Sequence, residues 1–309
     1  MNAIKYILIC GAGMMGKNIA FVMASNPAYQ VGVYDLYETD VPGGIRANTR
    51  QLIAKGALTE EELDARLSRI SFTTDLDSEL VSRADLVIEA VFEDMKIKRD
   101  IFAKLEARCR PDTIFCTNSS VMSPSEISAE LRHRERFVGT HFWNPGHLIP
   151  LVEVVKSDAS SDEVAQTVMD VLSSAGKEPV LCKKDVPGFI ANRMQHALWR
   201  EAISIVERGI ADAATVDKAV RYSFGLRLPQ LGPMENADMV GTDLTYNIHD
   251  YILKDLEDSH EPSPLLTRLR DEGKLGFKTG EGFQKWTPEQ VKASNEGLNE
   301  YLIKMLFGK

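Results

Sequence analysis

The stretch Ile4–Gly16, IKYILICGAGMMG, decides the fold. Ile4 to Cys10 is a short apolar run with β character, and Gly11-Ala12-Gly13-Met14-Met15-Gly16 follows at once. A helical pattern opens at about Met15 and continues through Ala20, Val22 and Met23. G-x-G-x-x-G between a strand and a helix is the context in which a glycine turn binds a dinucleotide. Gly11 permits the tight turn, Gly13 lets the backbone approach a pyrophosphate, and Gly16 lets helix and strand pack closely. The amides at the helix start, those of Met14 and Met15 among them, then receive the phosphates, helped by the helix dipole.

A second strand, Val31-Gly32-Val33-Tyr34, ends in Asp35, nineteen residues after Gly16. An acid there hydrogen-bonds the ribose hydroxyls and repels a 2′-phosphate. No Arg follows it directly, so the expected cofactor is NAD rather than NADP. The competing reading is a glycine turn with no ligand.

Outward from this turn, strand-like and helical segments alternate up to about residue 183. Strands are expected at Ile70–Thr73, Leu86–Ala90, Ile114–Thr117, Phe137–His141, Leu151–Val155 and Pro179–Leu181, with helices at Lys96–Arg108 and Asp162–Ala175 among the segments between them. Such alternation predicts an α/β, doubly wound, mostly parallel sheet. After the second strand an excursion (43–69) holds two amphipathic helices, Ile45–Lys55 and Thr59–Arg69, the second opened by the capping-box pattern Thr59-Glu-Glu-Glu62. Such a helical hairpin is a lid, an arm gripping a long substrate, or a packing insertion. From Val186-Pro-Gly-Phe189 onward strand signals almost vanish, and helices are expected over Ile190–Arg208, Thr215–Tyr222, Asp243–Leu256, Ser263–Asp271 and from Thr287 towards Phe307. The expected domains are 1–183, the dinucleotide-binding sheet, and 184–309, an all-α domain.

Bulk properties narrow the partners. The 309 residues are enough for two cores, and 36 basic against 45 acidic residues give a net charge of −9, which argues against nucleic acid or an anionic membrane as the main partner. Apolar runs are too short for a membrane span, and Met1-Asn-Ala-Ile-Lys leads directly into a strand rather than a signal peptide. Cys10, Cys109, Cys116 and Cys182 show no C-x-x-C spacing, so reduced thiols in a cytoplasmic protein are the simplest account. The six histidines form no ligand pattern, and no metal is expected.

The stretch 139–155, GTHFWNPGHLIPLVEVV, carries the chemistry. His141 ends one apolar run, and Glu153, twelve residues later, is enclosed by Leu151, Val152, Val154 and Val155. A carboxylate inside an apolar strand is costly unless a cation or donor meets it. The turn at Asn144-Pro145-Gly146 could bring His141 alongside. An imidazole so braced has a fixed tautomer and raised basicity, which makes a general base. The alternative is a satisfied core histidine with an incidentally buried acid.

With these pieces together, the chain resembles the 3-hydroxyacyl-CoA dehydrogenase family over nearly its whole length. GAGMMG, DLVIEAVFEDMKIK (85–98), TNSS (117–120), HFWNP (141–145) with LVEVV (151–155), DVPGFIANR (185–193), GPMENADMVGTD (232–243) and GKLGFKTGEGF (273–283) arrive in the family's order. The resemblance implies a Rossmann domain followed by a helical domain that completes the substrate cleft and forms a homodimer contact. It implies that His141 is the catalytic base and Glu153 the acid orienting it. Ser119 matches the serine contacting substrate and cofactor, and Asn192 the asparagine that helps hold the substrate carbonyl. Glu93 and Lys98 match residues lining the cofactor site, or else form a solvated helix start. Asn144 and Lys278 match positions near the nicotinamide end. Asn48 and Lys55 fall where members contact CoA with a Ser and a Lys. Trp143 and His147 take no role beyond packing.

The implied reaction is oxidation of an (S)-3-hydroxyacyl-CoA by NAD. WNPGHLIPLVEVV is also similar to members that oxidise small hydroxy compounds without CoA, such as carnitine dehydrogenase, the gulonate-oxidising λ-crystallin branch and a pyridine-carboxylate dehydrogenase. IRANTRQLIAKGALTEEELDARLSRISFTTD (45–75) resembles the arm of the acyl-CoA members. A small-molecule dehydrogenase of the same mechanism is therefore the alternative, and a non-catalytic NAD sensor or structural recruit a third reading.

Overall fold

A computed structural model describes residues 3–308. It opens with β1 (Tyr6–Cys10), α1 (Met14–Met23) and β2 (Gln30–Tyr34), followed by the excursion, α2 (Val41–Ala54) and α3 (Glu60–Leu67). β3 (Ile70–Thr73), α4 (Glu79–Ser82), β4 (Leu86–Glu89), α5 (Met95–Glu106), β5 (Ile114–Thr117) and α6 (Pro124–Ile127) come next. β6 (Phe137–Phe142), β7 (Leu151–Lys156), α7 (Asp162–Ser174) and β8 (Glu178–Cys182) complete one eight-stranded sheet in the order β3-β2-β1-β4-β5-β6-β7-β8. Every neighbouring pair is parallel except β6 and β7. The Rossmann-type, doubly wound sheet read from the sequence is present.

Local chemistry explains the elements. The central strands are covered on both faces, so they read as continuous apolar runs rather than alternating ones; every residue of β4, β5 and β6 is buried. Thr59 and Glu62 close a reciprocal capping box on α3, at 3.1 and 2.8 Å. One face of the sheet carries a core in which Ile7, Ile9, Ile19, Leu52, Val154 and Val168 meet, and the other packs Leu8, Val87, Phe102, Phe115 and Phe137.

The antiparallel β6–β7 pair makes the functional difference. Its register sets His141 directly opposite Glu153. Directly opposed residues share one face of a sheet, so their side chains meet.

The chain divides into two compact units, one running through Ala191 and regaining Gly297 onward, the other covering Asn192–Glu296. A single cut between 183 and 184 was the expectation from sequence. Two anchors account for the difference. Phe189 is buried beside Val155 and Cys182, and Ile303 near the chain's end is buried in the first unit's core.

The second unit contains most of α8 (Ala191–Glu207), then α9 (Ala213–Arg221), α10 (Pro233–Val240), α11 (Thr242–Ile252), α12 (Pro264–Asp271) and the start of α13 (Pro288–Phe307). The sequence reading lacked α10, whose stretch PMENADMV shows little apolar periodicity. Among the described residues of this unit no apolar side chain is buried, while Met234, Met239, Tyr246 and Tyr251 are each at least 70% exposed.

Candidate active site

At the glycine turn the backbone explains each residue. Gly11 has φ +108°, and a Cβ there would meet the Ala90 carbonyl oxygen at 2.6 Å. At Gly16 a Cβ would lie 1.8 Å from the Gly11 oxygen, whereas at Gly13 nothing stands within 4 Å. The turn is therefore closed on the protein side and open on the other, the arrangement a pyrophosphate needs. Met14 is exposed at the mouth of α1 and Met15 half-buried behind it. Asp35 Oδ2 accepts from the Ala12 amide at 2.6 Å and Oδ1 from Tyr37 at 3.2 Å. The carboxylate expected to serve a ribose thus also ties β2 to the turn. These residues fit NAD.

His141 and Glu153 are brought together. Nδ1 of His141 lies 2.8 Å from Glu153 Oε2, with the ring 6% exposed and the acid fully buried. Glu153 Oε1 accepts from the Ile190 and Ala191 amides at 2.9 and 3.0 Å, at the start of α8. The indole of Trp143 donates to Oε2 at 3.3 Å. Burial works to raise the Glu153 carboxyl, but His141 and the two amides outweigh it and hold it below the ordinary glutamate range.

Sequence reasoning left Trp143 without a role and did not single out Phe189. Phe189 turns the chain into α8 with φ +48°, the left-handed region that a non-glycine residue enters at a cost of roughly 1–2 kcal/mol. That turn delivers the two amides to Glu153, and the Phe189 ring lies 5.8 Å from that of His141. A helix-breaking Pro-Gly just upstream was the only signal for it.

Glu93 and Lys98 also meet, and although Glu93 is exposed, Lys98 is buried rather than part of a solvated helix start. Lys98 is 1% exposed, its Nζ 2.7 Å from Glu89 Oε1 and 3.1 Å from Glu93 Oε2. Thr117 and the Val91 amide complete the Glu89 shell at 2.7 and 2.8 Å. Burial drives the Glu89 carboxyl up while Lys98 pulls against it. Glu89, missed because it ends an apolar strand, is the centre of this cluster. Ser119 joins it by donating to Glu93 and accepting from Met122 at 2.9 Å. Asn118 accepts from the Phe142 amide at 3.0 Å, tying β5 to the catalytic strand.

The other expected residues have the following places. Asn144 is exposed in the β6–β7 connection. Asn48 donates to Asn18 at 2.8 Å, and Lys55 pairs with Glu300 of α13 at 2.8 Å. Asn192, in the first turn of α8, and Lys278, exposed in the turn closed by the isolated Gly276–Glu281 bridge, belong to the second unit.

Residues 6–186 match the family described as 3-hydroxyacyl-CoA dehydrogenase, NAD binding domain, and 188–286 match its C-terminal domain. The chain belongs to the 3-hydroxyacyl-CoA dehydrogenase family. It is an NAD-dependent oxidoreductase of the 3-hydroxyacyl-CoA dehydrogenase type. It is 35% identical over 294 residues to 5-formyl-3-hydroxy-2-methylpyridine 4-carboxylate 5-dehydrogenase of Mesorhizobium japonicum, covering 94% of this chain and 93% of that one. It is 36% identical to human mitochondrial hydroxyacyl-coenzyme A dehydrogenase, covering 92% and 91%. Among solved structures, an NAD+-dependent pyridine-carboxylate 5-dehydrogenase aligns with TM-score 0.89 at 34% identity, covering 98% of this chain and 97% of that one. The (S)-3-hydroxybutyryl-CoA dehydrogenase of Ralstonia eutropha aligns with TM-score 0.77 at 29% identity, covering 92% and 100%. Within the described residues no helix is long and apolar enough to cross a membrane.

Proposed function

We propose that His141 is the general base in the NAD-dependent oxidation of a secondary hydroxyl β to a carbonyl. The observation that carries this is the 2.8 Å contact between its Nδ1 and the buried Glu153. A carboxylate on Nδ1 fixes the proton there and leaves the Nε2 lone pair to take the hydroxyl proton. The imidazolium then forms beside the acid that stabilises it. Bound NAD supplies the hydride acceptor. Gly11, Gly13, Met14, Met15, Gly16 and Asp35 hold it in this reading, with Glu93, Lys98, Ser119, Asn144 and Lys278 bordering it. Ser119 and Asn192 act as donors to the substrate oxygens.

The substrate supported by the names of the acyl-CoA relatives is an (S)-3-hydroxyacyl-CoA. A second reading, a small hydroxy acid without CoA, is favoured by the arm. Asn48 and Lys55 are already engaged by Asn18 and Glu300. The Lys55–Glu300 pair is solvent-exposed and weak by itself, but buried Ile303 seats the same terminal stretch, which lies beyond the family's matched residues. NAD reduction with 3-hydroxybutyryl-CoA, free 3-hydroxybutyrate and carnitine tests both. Thioester turnover supports the first reading, and turnover of a free acid alone supports the second. An undiminished His141→Ala enzyme overturns the base assignment.

A homodimer through the helical unit completes the proposal. Its support is the exposure of Met234, Met239, Tyr246 and Tyr251, since large apolar patches mark contact surfaces. Light scattering of wild type and Tyr251→Asp tests it, with a monomeric wild type as the contrary result. A cytoplasmic location fits four unpaired cysteines.

A further inference from the structure

A cavity of about 310 Å³ opens between α1, the arm and the turn before β8, entirely within the first unit. Neither the glycine turn nor His141 lines it. Its ionisable lining is basic: Arg66, His147 and Lys177, beside the hydroxyl-bearing Ser25 and with no carboxylate among the lining residues.

All three basic groups hold unspent hydrogen-bonding capacity. Lys177 is 5% exposed and donates to the Gly146 and Ile149 carbonyls, both at 2.7 Å. That leaves one ammonium N–H, and no described carboxylate lies within ion-pair distance. A buried ammonium without a counter-charge is costly, and burial pulls this one down to about 8. Arg66 lies with its guanidinium 4.5 Å above the Phe21 ring and has no acceptor among the described residues. Nδ1 of His147 is buried without any partner. The remaining wall is largely apolar, including Phe21, Leu52 and Phe307.

From these features we infer that the cavity is a second ligand site, which takes a small organic carboxylate with a compact apolar body. Arg66 presents a planar fork suited to a carboxylate, and Lys177 adds charge from within. A volume near 310 Å³ is at the small end for ligand pockets, which suits a compact ligand. His147 and Pro150 belong to the connection joining the strands of His141 and Glu153, so occupancy bears on that connection.

Calorimetric titration of the NADH-loaded protein with hexanoate, benzoate and inorganic phosphate tests the site. One carboxylate per chain is expected, weakened at least tenfold by Arg66→Gln and by Ala57→Phe, which fills the cavity. NADH affinity, unchanged in both variants, reports that they fold. Absence of carboxylate binding, affinity unchanged from wild type in either variant, or phosphate binding as tight as hexanoate overturns the inference.

Discussion

The indole N–H of Trp143 donates to Glu153 Oε2, the same oxygen that faces Nδ1 of His141. Glu153 thus receives four hydrogen-bonding partners with no solvent exposure. Trp143→Phe keeps the ring 5.4 Å from His141 and removes one donor to a charged acceptor. Hydrogen bonds to charged groups are worth about 1.5–3 kcal/mol, and a 3.3 Å contact sits at the weak end. Turnover is expected to fall about tenfold, with KM for NAD unchanged, as measured by steady-state kinetics.

His141→Ala removes the base itself. General-base action contributes about 10²–10⁴ in rate, so kcat should fall by that factor while NADH fluorescence titration gives a near-wild-type Kd. Glu153→Gln should reduce kcat too and also lower stability, because the isosteric amide turns an N–H towards donors that now lack a charged acceptor. A His141→Ala enzyme that loses NADH binding instead would place the ring in the cofactor site rather than at the reacting hydroxyl.

The sheet was legible because its strands are apolar runs punctuated by glycine and capping residues, as in Ile114–Thr117 and Ile70–Thr73, whose bounds agree with those expected. The His141–Glu153 pairing was legible for a similar reason: an acid inside LVEVV demands a partner, and His141 ends the preceding apolar run. Glu89 and Lys98 were not, since their burial depends on a contact between β4 and α5 that no local pattern encodes. The role of Phe189 was hidden because left-handed backbone is normally signalled by glycine. The arm's own contacts were hidden in another way. Lys55 keeps its charge in the sequence, but the partner that takes it up, Glu300, is far along the chain.

Gly13 and Gly16 separate ligand binding from folding. A Cβ at Gly13 meets nothing within 4 Å, so Gly13→Ala should retain its Tm and lose NAD affinity, the methyl group standing where the pyrophosphate approaches. At Gly16 the same methyl would lie 1.8 Å from the Gly11 oxygen, so Gly16→Ala should lower Tm and unsettle β1 against α1. Thermal unfolding with and without NADH distinguishes them. Equal Tm losses in both variants would refute the open-side assignment of Gly13.

Asp35 serves two partners at once. Asp35→Ala removes the acceptor of the Ala12 amide, so NAD affinity and Tm should both fall, while kcat at saturating NAD stays within about twofold of wild type. Its isostere Asp35→Asn, which keeps one acceptor oxygen, should recover most of the Tm and little of the affinity. Recovery of both together would assign the residue to the turn alone.

His147 gives the fold an acid-sensitive term. Burial, with Lys177 nearby, lowers its pKa from 6.5 to about 4. A folded-state pKa below the unfolded value means that the unfolded chain takes the proton first as pH falls. The stability linked to this ring is therefore fully present above about pH 6.5 and is lost as pH drops through 4. At 1.36 kcal/mol per unit the whole effect is on the order of 3 kcal/mol at most, and less where water reaches the half-buried ring. Lys177 acts in the alkaline range: its lowered pKa of about 8 makes folding less favourable below pH 8, a cost relieved as pH rises towards 10.5. Urea unfolding of wild type and His147→Leu between pH 7 and pH 4 should give a clearly shallower loss of stability in the variant. Parallel curves would show that His147 is protonated as easily in the folded protein as in the unfolded chain.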